Sequence, residues 1–167
     1  MSDAETHPSV HFLFAHPAHF VALGAGAGLV RHAPGTVGTL VAFPLAWLLH
    51  TYAGDTGFVL AICAALAGGA WAAQVTGQAL GVHDHGGIVI DEIAAFLLVL
   101  FLVGPDVRRQ ALAFVLFRVF DIVKPPPIRA VDASMRNGLG VMADDVLAAG
   151  YTLIVMAAGQ RLLALAW

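Results

Sequence analysis

His83-Asp84-His85-Gly86-Gly87-Ile88-Val89-Ile90-Asp91-Glu92 sets three carboxylates and two imidazoles into one of the most apolar parts of a 167-residue chain. An isolated carboxylate in surroundings of low dielectric loses hydration worth many kcal/mol and ordinarily takes up a proton instead. Asp91 and Glu92 therefore need cations, donors or water beside them. A divalent metal satisfies two adjacent ionised carboxylates with the fewest groups, because it brings two positive charges and accepts several oxygens. The plainer alternative is a pair of acids in the first turn of a helix, where free N–H groups and the dipole favour negative charge. A single acid in a water-soluble protein would fit that alternative. A cluster inside an apolar segment points to function, as ionisable groups within membrane segments generally do.

The composition around this stretch is 59% hydrophobic and 11% charged, with a mean hydropathy of +0.83. A soluble domain carries roughly a quarter charged residues, so this is a membrane protein or a near relative of one. A net charge of −3 with eight Lys and Arg offers no basic face for nucleic acid. The length fits one domain, with no linker-like stretch: residues 1–20 form a polar, interfacial segment and 21–167 a helical domain. Cys63 is the sole cysteine, which excludes an intrachain disulfide and a thiolate zinc cluster, and it is expected to be a small core hydrophobe. The first twenty residues lack the basic cluster and apolar run of a secretory signal. His7, His11, His16 and His19 stand beside Pro8 and Pro17, which break any helix that would align them, so they are expected to be interfacial or solvated.

Further along, His11 to Leu23 is expected as a short amphipathic helix. The run Gly24 to Gly28 leads through Arg31 and His32 to Pro34-Gly35-Thr36-Val37-Gly38-Thr39. A turn of this kind opening onto a helix can hold a phosphate with its amides and hydroxyls; equally, it can be a capped chain reversal. Apolar segments follow at 39–53, containing Pro44, and at 57–73, where Gly68 and Gly69 permit close helix approach. A polar stretch, 74–81, then leads to the acidic block. Helices are expected at 88–103, ended by Gly104-Pro105, at 110–123, ended by Pro125-Pro126-Pro127, and at 146–159. Several fall short of the roughly 20 residues a simple spanning helix needs, which allows a compact bundle seated in one leaflet. Basic residues follow nearly every segment, Arg136 among them, and give no orientation.

Arg118, Asp121 and Lys124 succeed one another at i, i+3 and i+6, which puts them on one helical stripe. Surface salt bridges are one explanation. On so apolar a helix a polar pocket is the other, with Asp121 joining a metal and the cations holding an anionic substrate. Asp144-Asp145, framed by Gly138 and Gly140 on one side and an apolar helix on the other, repeats the design of Asp91-Glu92: at least one is expected to be a ligand rather than a cap. Asp84, Asp91, Glu92, Asp121, Asp144 and Asp145 are all oxygen donors, and oxygen-only ligation points to Mg²⁺ or a similar hard ion. A metal so held, near amide-rich turns and basic side chains, suits phosphoryl chemistry on a membrane substrate. Cys63 lacks the loop and Arg of a cysteine phosphatase, and no Gly-x-Ser-x-Gly elbow is present.

Four blocks, Pro34 to Thr39, Asp84 to Glu92, Phe117-Arg118 through Asp121 to Lys124-Pro125 with Pro127-Ile128, and Gly138-Leu139-Gly140 to Asp144-Asp145, together resemble the phosphatidylglycerophosphatase A family over roughly residues 20 to 160. The resemblance implies an all-α bundle of about five to six helices, a central helix surrounded by the others, embedded in or associated with the bacterial cytoplasmic membrane and working from its cytoplasmic side. It implies Mg²⁺-dependent removal of the terminal phosphate of phosphatidylglycerophosphate, giving phosphatidylglycerol and phosphate. On that basis Asp91, Glu92, Asp121 and Asp145 bind Mg²⁺, Asp84 and Asp144 are further ligands or the base that prepares water, and Arg118 and Lys124 hold the phosphate monoester with the Thr36 turn. The His-rich N-terminus and Pro126, where an aromatic residue often stands, depart from the family pattern and bear on substrate preference. Water or an Asp nucleophile, the number of ions and the oligomeric state stay open. An ion- or proton-coupled transporter also places carboxylates in apolar helices. A CDP-alcohol phosphotransferase shares the acidic site and lipid substrate, but its characteristic Asp-Gly…Ala-Arg run is missing.

Overall fold

The computed structural model describes residues 7–135 and 137–165. Arg136 and the ends of the chain, including the tip of the interfacial tail expected after Leu162, lie outside the described residues. The protein is all helical: α1 (Val10–Ala15), α2 (Pro17–Ala22), a 3₁₀ segment (Gly24–Leu29), α3 (Pro34–Tyr52), α4 (Gly54–Leu80), α5 (Ile90–Val103), α6 (Val107–Val123), α7 (Ile128–Ser134) and α8 (Gly138–Leu165). Five of these helices are long. The short ones close the end of the bundle where the acidic residues gather.

α5 is the axis. Its residues Ile90, Ile93, Ala94, Ala95, Phe96, Leu97, Val99 and Leu100 are buried right round the helix, the pattern of a helix with neighbours on every side. α3, α4, α6 and α8 all pack against it. Phe96 is fully buried, with the rings of Phe117 and Phe43 at 5.3 and 5.4 Å, and Phe58 meets Phe101 at 5.2 Å. Such aromatic pairs contribute about 0.5–1.5 kcal/mol each beyond their area. Gly104, at φ 77°, takes the chain out of α5 after its N–H has bonded the Leu100 carbonyl.

α4 and α8 are each long and apolar enough to cross a bilayer. On α6 the exposed aliphatic residues Leu112, Val115, Val119 and Ile122 recur at three and four residues, an outward apolar stripe. Trp47, Leu60, Trp71 and Ile154 are large apolar side chains exposed on other helices of the bundle. This is a membrane-associated protein.

Several boundaries differ from the sequence expectation for physical reasons. The expected helix from His11 to Leu23 is two helices, because His16 is extended (φ −152°) before Pro17 and its Nδ1 accepts the Ala18 N–H at 3.1 Å to start a new one. His19 is not solvated: it is buried, stacked on Phe12 at 4.0 Å, with Nδ1 bonded to the Phe12 carbonyl at 3.0 Å. α4 runs through its polar end because Gln74 is used there, its Oε1 accepting the Gly138 N–H at 2.7 Å. α8 therefore starts at Gly138, well before residue 146. Cys63 is exposed, one residue around the helix from buried Ile62. Of the two glycines in α4, Gly69 makes the close approach: a Cβ there would lie 3.0 and 3.1 Å from Met142 and Ile90.

Candidate active site

The acidic loop is aimed by the end of α4. Gly81 (φ 74°) gives its N–H to the Gln78 carbonyl and Val82 gives its own to Gly77, a paired closure that turns the chain sharply. His85 Nδ1 then accepts the Gly87 N–H at 3.0 Å, the Ile88 N–H bonds the His85 carbonyl at 2.7 Å, and the Val89 N–H reaches Ala22 at 2.9 Å. α5 starts at the next residue, so Asp91 and Glu92 do occupy a helix's first turn. Asp91 Oδ1 accepts the Glu92 N–H at 3.0 Å. The capping explanation thus holds for one oxygen, and a carboxylate has two.

α8, which packs along α5, brings Asp145 to the same place. Oxygens of Asp91, Glu92 and Asp145 all lie within 4.8 Å of one another. Asp91 and Asp145 are 7% and 3% exposed. Three ionised carboxylates at that spacing repel by roughly 3 kcal/mol per pair at an effective dielectric of 20. The total rivals the whole stability of a domain, about 5–15 kcal/mol. The cluster therefore requires protons or an added cation. Glu92 Oε2 is buried and has no hydrogen-bond partner among the described residues, an oxygen left for a ligand, and the all-oxygen donor set matches a hard divalent ion. The residues fit such an ion.

Cations flank the cluster on two sides. Arg118 Nη1 lies 2.7 Å from Asp121 and 3.6 Å from Glu92, with the Thr39 hydroxyl at 3.4 Å; the Arg118 Nε has no partner among the described residues. Gly35, in the first turn of α3, admits this arrangement, since a Cβ there would overlap Glu92 Oε1 and stand 3.2 Å from Arg118 Nη1. Thr36 is half-buried beside it. The glycines at 35 and 38 serve close packing on Glu92 and Val89.

Lys124 is elsewhere. It ends α6 in the left-handed conformation (φ 46°), so it leaves the stripe expected to hold it with Arg118 and Asp121. Its Nζ lies 2.5 Å from Asp144 and 3.3 Å from Asp132. Burial works against the ammonium, but the hydrogen bond and charge of Asp144, with Asp132 behind them, hold its pKa above the ordinary value. Asp84 keeps an exposed edge while protein crowds its inner side. That partial loss of water raises its carboxyl above the usual range, against the pull of Lys124.

Asp91, Glu92 and Asp145 converge, with Asp121 paired to Arg118 at their side; Asp144 and Asp132 pair with Lys124, and Asp84 stands between the two sets, near enough to feel the charges of Lys124, Asp121 and Asp91. Asp132, His85, Arg31 and Thr39 carried no sequence assignment. Asp132 follows a three-proline turn whose return toward α6 no periodicity reveals, while His85 was visible inside the acidic block.

Residues 20–160 match the family model described as Phosphatidylglycerophosphatase A. A Haemophilus influenzae protein named Phosphatidylglycerophosphatase A is 42% identical over 160 residues, covering 93% of this chain and 96% of its own length. An Escherichia coli protein of the same name is 38% identical over 135 residues, 80% of this chain and 78% of its own. A Bacteroides thetaiotaomicron protein, provisionally named a phosphatidylinositol-3-phosphatase, is 36% identical over 149 residues, 84% and 91% of the two chains. No solved structure matches.

Proposed function

We propose that this chain, which belongs to the phosphatidylglycerophosphatase A family, is a lipid phosphatase that hydrolyses the terminal phosphate monoester of phosphatidylglycerophosphate, with Mg²⁺ held by Asp91, Glu92 and Asp145. The observation that carries this reading is the meeting of those three carboxylates, from helices distant in sequence, in a buried place where they repel one another. Asp121 completes the donor set beside Arg118. When bound, the ion supplies positive charge to phosphate oxygens and lowers the pKa of water in its shell.

The chain's own side chains do the rest. Arg118 is fixed by Asp121 and Glu92 and offers its unpartnered Nε toward a phosphate oxygen; a guanidinium held this way presents a fork that matches phosphate. Lys124 offers a second cation from the other side, and Asp144 and Asp132 hold it in place. Asp84, with a raised pKa at the cluster's exposed edge, is suited to exchange a proton with water or with the departing glycerol oxygen. Pro34 and Gly35, which precede Thr36 in the same turn, line the cavity beside Glu92 and Arg118. The exposed apolar faces seat the bundle in the bacterial cytoplasmic membrane with this acidic end toward the cytoplasmic headgroups.

The test is phosphate release from phosphatidylglycerophosphate in mixed micelles, with Mg²⁺ and with EDTA, and phosphatidylinositol 3-phosphate run alongside. Release from the first substrate that stops on chelation supports the reading. Undiminished release in EDTA removes the metal from it, and release from the inositol lipid alone removes the substrate.

A further inference from the structure

A cavity of about 340 Å³ lies beside Glu92 and Arg118 and is larger than one phosphate needs; pockets of this size take whole small molecules. Gly28, Val30, Arg31 and Pro34 form one wall and His85, Gly86 and Gly87 the other. The walls are fixed by backbone contact, since a Cβ on Gly28 would overlap the Gly87 carbonyl. Three of the buried side-chain atoms without a hydrogen-bond partner belong to residues lining this one cavity: Glu92 Oε2, Arg118 Nε and His85 Nε2.

His85 is the one that the phosphatase reading leaves unused. It is 4% exposed. The Gly87 amide donates to its Nδ1, and an amide has only a hydrogen to give, so Nδ1 is the bare nitrogen and the ring proton sits on Nε2. His85 therefore presents a neutral N–H donor with nothing among the described residues to receive it, and a buried donor of that kind is rare without a ligand to complete it. Arg31, exposed on the opposite wall, adds a positive charge.

We propose that this cavity is a second anion subsite, in which His85 Nε2–H and Arg31 bind the phosphodiester of the lipid headgroup while the monoester lies at the carboxylate cluster. The inference rests on the lipid-phosphatase reading and names a specificity residue for it. His85 acts as a hydrogen-bond donor, and no proton leaves it. An enzyme built this way distinguishes a lipid with two phosphates from a simple phosphate monoester, because a buried donor left unpaired by the wrong ligand costs discrimination.

The experiment compares wild type, His85→Phe and His85→Gln, the last keeping an N–H donor at similar reach. The probes are phosphatidylglycerophosphate as substrate, and phosphatidylglycerol and inorganic phosphate as inhibitors. Mn²⁺ binding and the melting midpoint confirm that each variant is folded and keeps its carboxylate cluster. For His85→Phe we expect KM for the lipid to rise at least tenfold and phosphatidylglycerol inhibition to weaken at least tenfold, with inhibition by inorganic phosphate unchanged; Gln recovers most of the loss. Equal weakening toward inorganic phosphate would place His85 at the monoester and overturn the proposal, as would unchanged affinity for phosphatidylglycerol. Absence of wild-type phosphate release from the lipid would instead sink the reading beneath it, which keeps the two failures apart.

Discussion

Asp144 and Asp145 are neighbours in sequence and almost equally buried, at 6% and 3% exposure, yet they end in opposite electrostatic settings. A helix turns about 100° between them. Asp144 turns toward α6, where Lys124 meets it at 2.5 Å. Asp145 turns toward α5 and meets Asp91 and Glu92. The outer group carries its own cation, Lys124, which neutralises Asp144 from within the chain. The inner group has Arg118 only at its margin, 3.6 Å from Glu92 and committed to Asp121 at 2.7 Å, and so its charge is left to protons or to a cation from solution. Burial alone therefore does not mark a metal site; burial without a compensating charge does.

The largest effect should come from Asp145→Asn. Removing one ligand lowers phosphate release by about 10³-fold, the scale of losing a main electrostatic contact to the transition state. The same change removes a repelling charge, so in EDTA the variant should melt higher than wild type, by roughly 1–3 kcal/mol of stability. Activity and metal-free stability moving in opposite directions is the signature, and a variant that loses both would mean that Asp145 is a structural acid.

Gly35→Ala sharpens the contrast from the other wall. Its methyl group would push on Glu92 Oε1 and Arg118 Nη1, and displacing reacting groups by about 1 Å can cost up to about 10²-fold. We expect a ten- to hundredfold loss of turnover with a melting midpoint shifted only slightly.

Lys124→Met probes the outer group, where stability should fall along with the affinity for the phosphate monoester. Breaking a fully buried pair costs about 3–5 kcal/mol; Lys124 keeps 24% of its side chain in solvent, so about 2 kcal/mol is expected from denaturant unfolding in detergent. The pH dependence follows from the raised ammonium pKa. A group whose pKa is higher folded than unfolded stabilises fully below its unfolded value, near 10.4 for lysine, and loses that contribution as pH rises beyond it. The gap between wild type and Lys124→Met should therefore be constant from neutral pH to about pH 10 and shrink above it. The smallest effect belongs to Asp132→Asn, whose bond to Lys124 is 3.3 Å long with side chains 24% and 36% exposed: below about 1 kcal/mol in the same unfolding experiment.

The central helix, its acids and the second acidic pair were legible because charge in an apolar run is a strong local contrast. Which aspartate of the pair faces α5 was open from the residues alone, where the family resemblance named Asp145, since it depends on the rotation of α8, whose start at Gly138 is capped by Gln74 from another helix. The stripe of Arg118, Asp121 and Lys124 was read correctly for its first two members, which pair at 2.7 Å. Lys124 escaped because the helix ends at it with a positive φ, a conformation that no spacing rule anticipates for a lysine before three prolines. His85 stood in plain view, but its meaning lies in one backbone bond to Gly87.

The most direct test is anomalous scattering from a crystal grown with Mn²⁺ in place of Mg²⁺. The expected result is a peak within bonding distance of Asp91, Glu92 and Asp145 and none against Asp144. A peak held by Asp84, Asp132 and Asp144, or an empty inner cluster in a protein whose phosphatase activity survives EDTA, would contradict it.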